Sequence, residues 1–236
     1  MKRLMKVLLV LLILGVLFAG YLKFTGMNIY ELKDYVSSLV SDGPQEATME
    51  HGWNLILVNA DYCIPSDYEN ELALTVLSNG ESVDSRIYPD LQQMFDDMRA
   101  GGIYPIVAAG YRTQADQQRI MDERIAAYEA EGYSRKEAQD LAEDWVALPG
   151  TSEHQLGIAV DINQDVERST AEEVYTWLAE HAHEYGFILR YPLDKVDITG
   201  ISNEPWHYRY VGKEAAAEIH SSGLCLEEYI ENLNKS

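Results

Sequence analysis

The sequence predicts an α+β fold: a single compact domain with a small antiparallel sheet flanked by helices, preceded by an N-terminal transmembrane helix. Three observations lead there. Helical periodicities and short strand-like runs are mixed after residue 53, without the regular β-α-β alternation of a parallel sheet. Two helix starts are marked by capping boxes, Ser134 with Glu137 and Thr170 with Glu173. An uninterrupted uncharged run, Val7 to Leu22, lies at the start of the chain behind Lys2, Arg3 and Lys6.

At ~1.5 Å per residue that first run is close to the shortest span that crosses a ~30 Å hydrocarbon core. Residues 1–24 are therefore read as a membrane anchor, with a cleaved signal sequence as the alternative. The anchor is preferred because Leu17 and Phe18 stand where a signal-peptide cleavage site would place small residues. The cations ahead of the run hold the N-terminus in the cytoplasm and put everything after Lys23 on the extracellular side.

Residues 25–52 are polar and mixed and read as a stalk, "SDGPQEATMEHG" above all, although a short helix can form across "IYELKDYVSSLV". The folded domain is expected over 53–236, opening on a strand at "WNLILVN". Next, "PDLQQMFDDMRAGG" puts Leu91, Met94, Phe95 and Met98 on one helical face before a glycine stop. "YPIVAAGYR" is strand-like and leads into the polar helix "TQADQQRIMDERIAAYEAEG". The capped segment "SRKEAQDLAEDWVA" keeps Ala138, Leu141, Ala142 and Trp145 together. "TAEEVYTWLAEHAHEYG" is a helix that stops at Gly186. "FILRYP" and "HYRYVG" are short strands, and two helical pieces close the chain.

The formal net charge is −21. Four of the basic residues belong to the first 24, so the remainder carries 14 Lys and Arg against 39 Asp and Glu. Such a surface repels nucleic acid and anionic lipid, and neither is an expected partner beyond the anchor itself. A monomer is the expected state. The two cysteines, Cys63 and Cys225, form a candidate disulfide in an oxidising compartment, with two buried free thiols as the alternative.

The chemistry concentrates in "GTSEHQLGIAVDIN", residues 150–163. A carboxylate inside the apolar run "IAVDIN" is costly unless it is paired or bound to a cation. His154 lies in the loop before it, and a turn at Gly157 can bring that loop back onto Asp161. Farther on, "NEPWHYRY" holds His207 three residues after Glu204. His154, Asp161 and His207 are three ligands of the kind that catalytic zinc uses, with a position left open. The residues alone also allow a plainer arrangement, in which His154 caps a turn and His207 is a half-buried strand residue.

"SEHQLGIAVD" fits S-x-H-x-x-G-x-A-x-D and "EPWH" fits E-x-W-H. These paired motifs, with "GYRT", "FILRYP" and "TGISNEPWHYRYVG", resemble the VanY-type D-alanyl-D-alanine carboxypeptidases, zinc peptidases of peptidoglycan. The resemblance runs from about Asn54 to Tyr229. It implies that His154, Asp161 and His207 bind Zn²⁺ and that Glu204 is the catalytic base. It implies that Arg112 stabilises the oxyanion, that Ser152 and Gln117 hold the substrate, and that Trp206 packs against the site. The activity implied is removal of terminal D-Ala from peptidoglycan stem peptides outside the membrane. An L,D-carboxypeptidase acting on tetrapeptide stems is the nearest alternative, and a non-catalytic wall-binding module is a more distant one.

Overall fold

The computed structural model describes residues 43–68 and 72–235. The anchor expected at 1–24 and most of the stalk lie outside the described residues. No helix among those described is long and apolar enough to cross a membrane. The described chain is an α+β domain centred on a four-stranded antiparallel sheet, as the mixed periodicities predicted.

Two short ladders precede that sheet: β1 (Gln45–Glu46) with β2 (Tyr62–Cys63), and β3 (Leu74–Val76) with β4 (Ser82–Asp84). The main sheet runs in the order β5 (Pro105–Ala109), β6 (Ala159–Gln164), β8 (His207–Tyr210), β7 (Phe187–Leu189). Its central strands are the most deeply covered. All four residues of β8 are buried, and Ala159, Val160 and Ile162 of β6 are fully so. Register then does the positioning: Asp161 on β6 faces Ala109 on one side and His207 on the other.

Helix α1 (Tyr88–Ala100) buries Leu91, Met94, Phe95 and Met98, the face read from its spacing. The capping boxes form as well. Ser134 accepts from the Glu137 backbone at the start of α3 (Arg135–Glu143), and Thr170 from that of Glu173 at the start of α4 (Ala171–His181). A third box, Thr113 with Asp116, opens α2 (Gln114–Ala130). Helices α2 and α3 pack through Met121, Ile125, Ala138 and Ala142 into a small core of their own. The chain closes with α5 (Lys213–Ser222) and α6 (Leu226–Leu233).

Three expectations need amendment. "WNLILVN" is not a strand: Trp53–Leu55 is a 3-10 turn, and no strand follows before β2. Here a side chain takes the place of a neighbouring strand: Arg209 Nη2 donates to the carbonyls of Asn54 (3.1 Å) and Ile56 (2.7 Å). Cys63 and Cys225 are free thiols rather than a disulfide. Cys63 Sγ lies 3.4 Å from the Pro44 carbonyl, whereas Cys225 is buried at the start of α6, its N–H bonded to Glu228. Packing also begins before residue 53, since Ala47 is buried in the main core and β1 pairs with β2.

Candidate active site

The segment between α3 and β6 folds as a short 3-10 turn, Glu153–Leu156, that ends at Gly157. Gly157 takes φ +71°, a left-handed conformation that L side chains resist, and a Cβ there would lie 3.2 Å from the Asp84 backbone nitrogen. This reversal turns His154 back over β6. Gly110 does a second job at the end of β5. Its carbonyl lies 2.8 Å from His154 Nδ1, and it presses so closely on β4 that a Cβ would fall 2.2 Å from the Ser82 oxygen.

His154, Asp161 and His207 therefore converge. Asp161 Oδ1 stands 3.3 Å from His154 Nε2 and 3.0 Å from His207 Nδ1. Candidate ligand atoms from all three residues lie within 4.8 Å of one another. The imidazoles meet edge to face, with centroids 4.8 Å apart. Two imidazoles and one carboxylate, with the His154 bond to Gly110 fixing one ring, make a donor set that fits zinc.

Electrostatics agree with a cation site. Burial alone would raise the Asp161 carboxyl, but His154 and His207 overcome it and hold it well below the usual range. Burial pulls His154 down, favouring the neutral form that a metal ligand needs. Burial likewise acts to lower His207, yet the bond to Asp161 and the carboxylates of Glu153 and Glu204 nearby outweigh it and raise it to about 9. Glu204, whose Oε2 is 3.6 Å from His207 Nδ1, is pushed up to about 7, mainly by burial, with His207 opposing.

A cavity of about 410 Å³ opens over this group. Arg112, Gln117, Ser152, Glu204 and Trp206 line it together with the three ligands, so each residue predicted for the site is brought to it. Their contacts refine the expectations. Arg112 Nη2 donates to Asp161 Oδ2 at 2.9 Å and Nη1 to Gln117 Oε1 at 3.4 Å. Gln117 is buried and donates to the Ala147 carbonyl at 2.7 Å. Trp206 is half-buried in the cavity wall.

Sequence reading missed Glu153. Its side chain is fully buried, with Oε1 accepting from Arg190 Nε and Arg209 Nη1, both at 2.7 Å. Arg190 also donates to Glu227 on α6, at 2.9 and 2.6 Å. The available signal was an arginine in each of "FILRYP" and "HYRYVG", strands too apolar to leave a cation unpaired.

Fold and site together define a zinc metallocarboxypeptidase, with a His-Asp-His set suited to the metal and a glutamate beside it. The family model "VanY: D-alanyl-D-alanine carboxypeptidase" matches residues 80–213, which span every one of these site residues. The chain belongs to the VanY D-alanyl-D-alanine carboxypeptidase family. A D-alanyl-D-alanine carboxypeptidase of Enterococcus faecalis (strain ATCC 700802 / V583) is 57% identical over 199 residues, covering 81% of this chain and 74% of its own. Two solved structures agree. A vancomycin-resistance D,D-pentapeptidase VanY from a VanB-type cassette, in complex with Zn(II), is 61% identical with a TM-score of 0.73, over 75% of this chain and 99% of that one. VanYB in complex with D-alanine-D-alanine is 60% identical with a TM-score of 0.74, over 76% and 98%.

Proposed function

We propose that this chain is a zinc-dependent D,D-carboxypeptidase that removes the terminal D-Ala from peptidoglycan stem peptides on the outer side of the cell membrane. The observation that carries the reading is the convergence of His154, Asp161 and His207 on one cavity wall with Glu204 beside them. Binding alone would not need Glu204. The D,D preference draws support from the 60% identical VanYB, solved with D-alanine-D-alanine. The extracellular placement and the anchor draw support from the apolar run behind Lys2, Arg3 and Lys6. A monomer suffices, since one chain supplies all of the named groups.

Zinc bound at this set supplies Lewis acidity, enough to make water a nucleophile near neutral pH. The protein's own groups do the rest. The Glu204 carboxylate accepts the proton of the attacking water and returns it to the leaving amine. Burial disfavours the charged form of Glu204, which favours its uptake of that proton. Arg112 stabilises the charge that develops on the scissile carbonyl oxygen. The Ser152 side chain makes no capping bond to the turn it precedes, which leaves its hydroxyl to the terminal carboxylate of the substrate. Gln117 holds the Arg112 fork in place and adjoins the same end of the cavity.

The test is mass spectrometry of defined stems after incubation with the protein, with chelator and after zinc is restored. Loss of one alanine from a pentapeptide ending in D-Ala-D-Ala, abolished by chelator and recovered with zinc, is expected. Trimming of a tetrapeptide alone would replace this reading with an L,D-carboxypeptidase. Retention of intact stems without cleavage would replace it with a wall-binding module.

A further inference from the structure

Glu153 has no part in the chemistry above, yet it is the most completely enclosed carboxylate at the site. Both arginines that hold it bond to the same oxygen, Oε1. The other oxygen, Oε2, has no hydrogen-bond partner, and it faces His207 Nε2 at 3.7 Å. That ring nitrogen is also buried and also without a partner. Two buried polar atoms are thus left unsatisfied 3.7 Å from each other. Buried orphans of this kind are rare because each forfeits its bonds to water without replacement. A closing shift of about 0.7 Å would bring them within hydrogen-bond range.

The consequence falls on the metal site. A neutral imidazole carries its proton on one nitrogen only, and the other has the lone pair a metal needs. For His154 the choice is made by Gly110, whose carbonyl takes Nδ1 and leaves Nε2 toward Asp161. For His207 the nitrogen that faces Asp161 and the other candidate ligand atoms is Nδ1, and for Nδ1 to offer its lone pair to zinc the ring proton has to sit on Nε2. We propose that Glu153 is a positioning residue whose Oε2 accepts the His207 Nε2–H and so commits Nδ1 to zinc. The inference rests on the zinc-site reading and adds to it. The two histidines thus present opposite ring nitrogens, one oriented by a backbone carbonyl and the other by a carboxylate. Adjacent residues, Glu153 and His154, supply one metal ligand and the orienting partner of another.

Arg190 and Arg209 make this carboxylate unusual. By bonding to Oε1 alone, they fix its orientation and keep it charged, while leaving Oε2 available on the side of the ring. A carboxylate behind a ligating histidine increases that ligand's basicity, and losing such a partner typically weakens metal binding 10–100-fold.

The experiment uses the folded protein labelled with ¹⁵N-histidine and loaded with ¹¹³Cd, and reads which ring nitrogens couple to the metal. Coupling to His154 Nε2 and His207 Nδ1, with a slowly exchanging proton on His207 Nε2, is expected. Coupling to His207 Nε2 would overturn the proposal while leaving the metal site intact. Failure to bind cadmium or zinc at all would overturn the zinc-site reading, and this proposal with it. The second arm is Glu153→Gln, which keeps the shape but turns an N–H donor or a weaker acceptor toward the ring. Its zinc affinity, by competition with a chromophoric chelator, is expected to fall about 10–100-fold with the far-UV circular dichroism retained. Unchanged affinity in the folded variant would overturn the proposal. Should that variant fail to fold, the cadmium coupling in the unaltered protein decides.

Discussion

Arg112 donates from Nη2 to Asp161 Oδ2 at 2.9 Å, on the opposite oxygen from the one that faces both imidazoles. The arginine thus steadies the Asp161 carboxylate while it lines the cavity. Arg112→Ala is expected to lower kcat and kcat/KM together by about 10²–10³, the range for losing an oxyanion donor. It should also weaken zinc, measured by chelator competition. Arg112→Lys should restore less than full activity, since a point charge cannot replace the planar fork. A rise in KM with kcat unchanged would instead assign Arg112 to gripping the substrate's terminal carboxylate.

The ligand assignment predicts that His154→Ala and His207→Ala each lose zinc, read as metal content by inductively coupled plasma spectrometry. Stoichiometric zinc in the double variant would end the assignment.

Glu204 lies beside His207 and outside the His154, Asp161 and His207 group. Glu204→Gln should hold zinc and keep its fold while activity falls about 10²–10⁴-fold, the usual size of general acid–base help. Loss of metal in that variant would make Glu204 a ligand.

Gly110 and Gly157 are expected to matter out of proportion to their size. An alanine Cβ at Gly110 would need the Ser82 oxygen to move, and the carbonyl holding His154 would move with it. Gly110→Ala should weaken zinc affinity as well as stability. Gly157→Ala forces an L residue into a left-handed conformation at a cost of about 1–2 kcal/mol, read as a lower urea midpoint.

His183 and His220 stack with centroids 3.7 Å apart and planes 4° from parallel, away from the active site. Burial first, and then His220, lowers the His183 pKa from its usual value, against a small opposing influence from Glu184. A pKa lowered by folding means that the neutral ring is favoured in the native state. This contribution is complete above about pH 6.5, the unfolded value, and is lost as the pH falls through the lower folded value. The melting temperature should therefore drop from about pH 6.5 to 5 more steeply in the parent than in His183→Phe. Equal slopes would place the acid sensitivity elsewhere.

Much of this was written in local sequence. A capping box needs only residues three apart, so α3 and α4 could be placed from Ser134 and Thr170. The site motifs were equally legible, because Gly157 reverses the chain within a few residues and register does the remainder. What stayed hidden depends on distant partners. Arg190, just past β7, and Arg209, on β8, are both fully buried against Glu153, 37 and 56 residues away in sequence. The same Arg209 takes two carbonyls of "WNLILVN", which is strand-like by composition but forms no strand. The cysteines failed as a pair because spacing carries no information about where two thiols meet in space.

Asp161 and His207 are cross-strand neighbours in the β6–β8 ladder, 46 residues apart in the chain. A metal between them is therefore a clasp on the two central strands as well as a reagent. Because the unfolded chain cannot assemble the three ligands, capture of zinc adds to folding stability by mass action, about 4 kcal/mol at a thousandfold excess over the dissociation constant. Zinc starvation would then shorten the life of the protein itself, as unclasped molecules open and are lost to proteases.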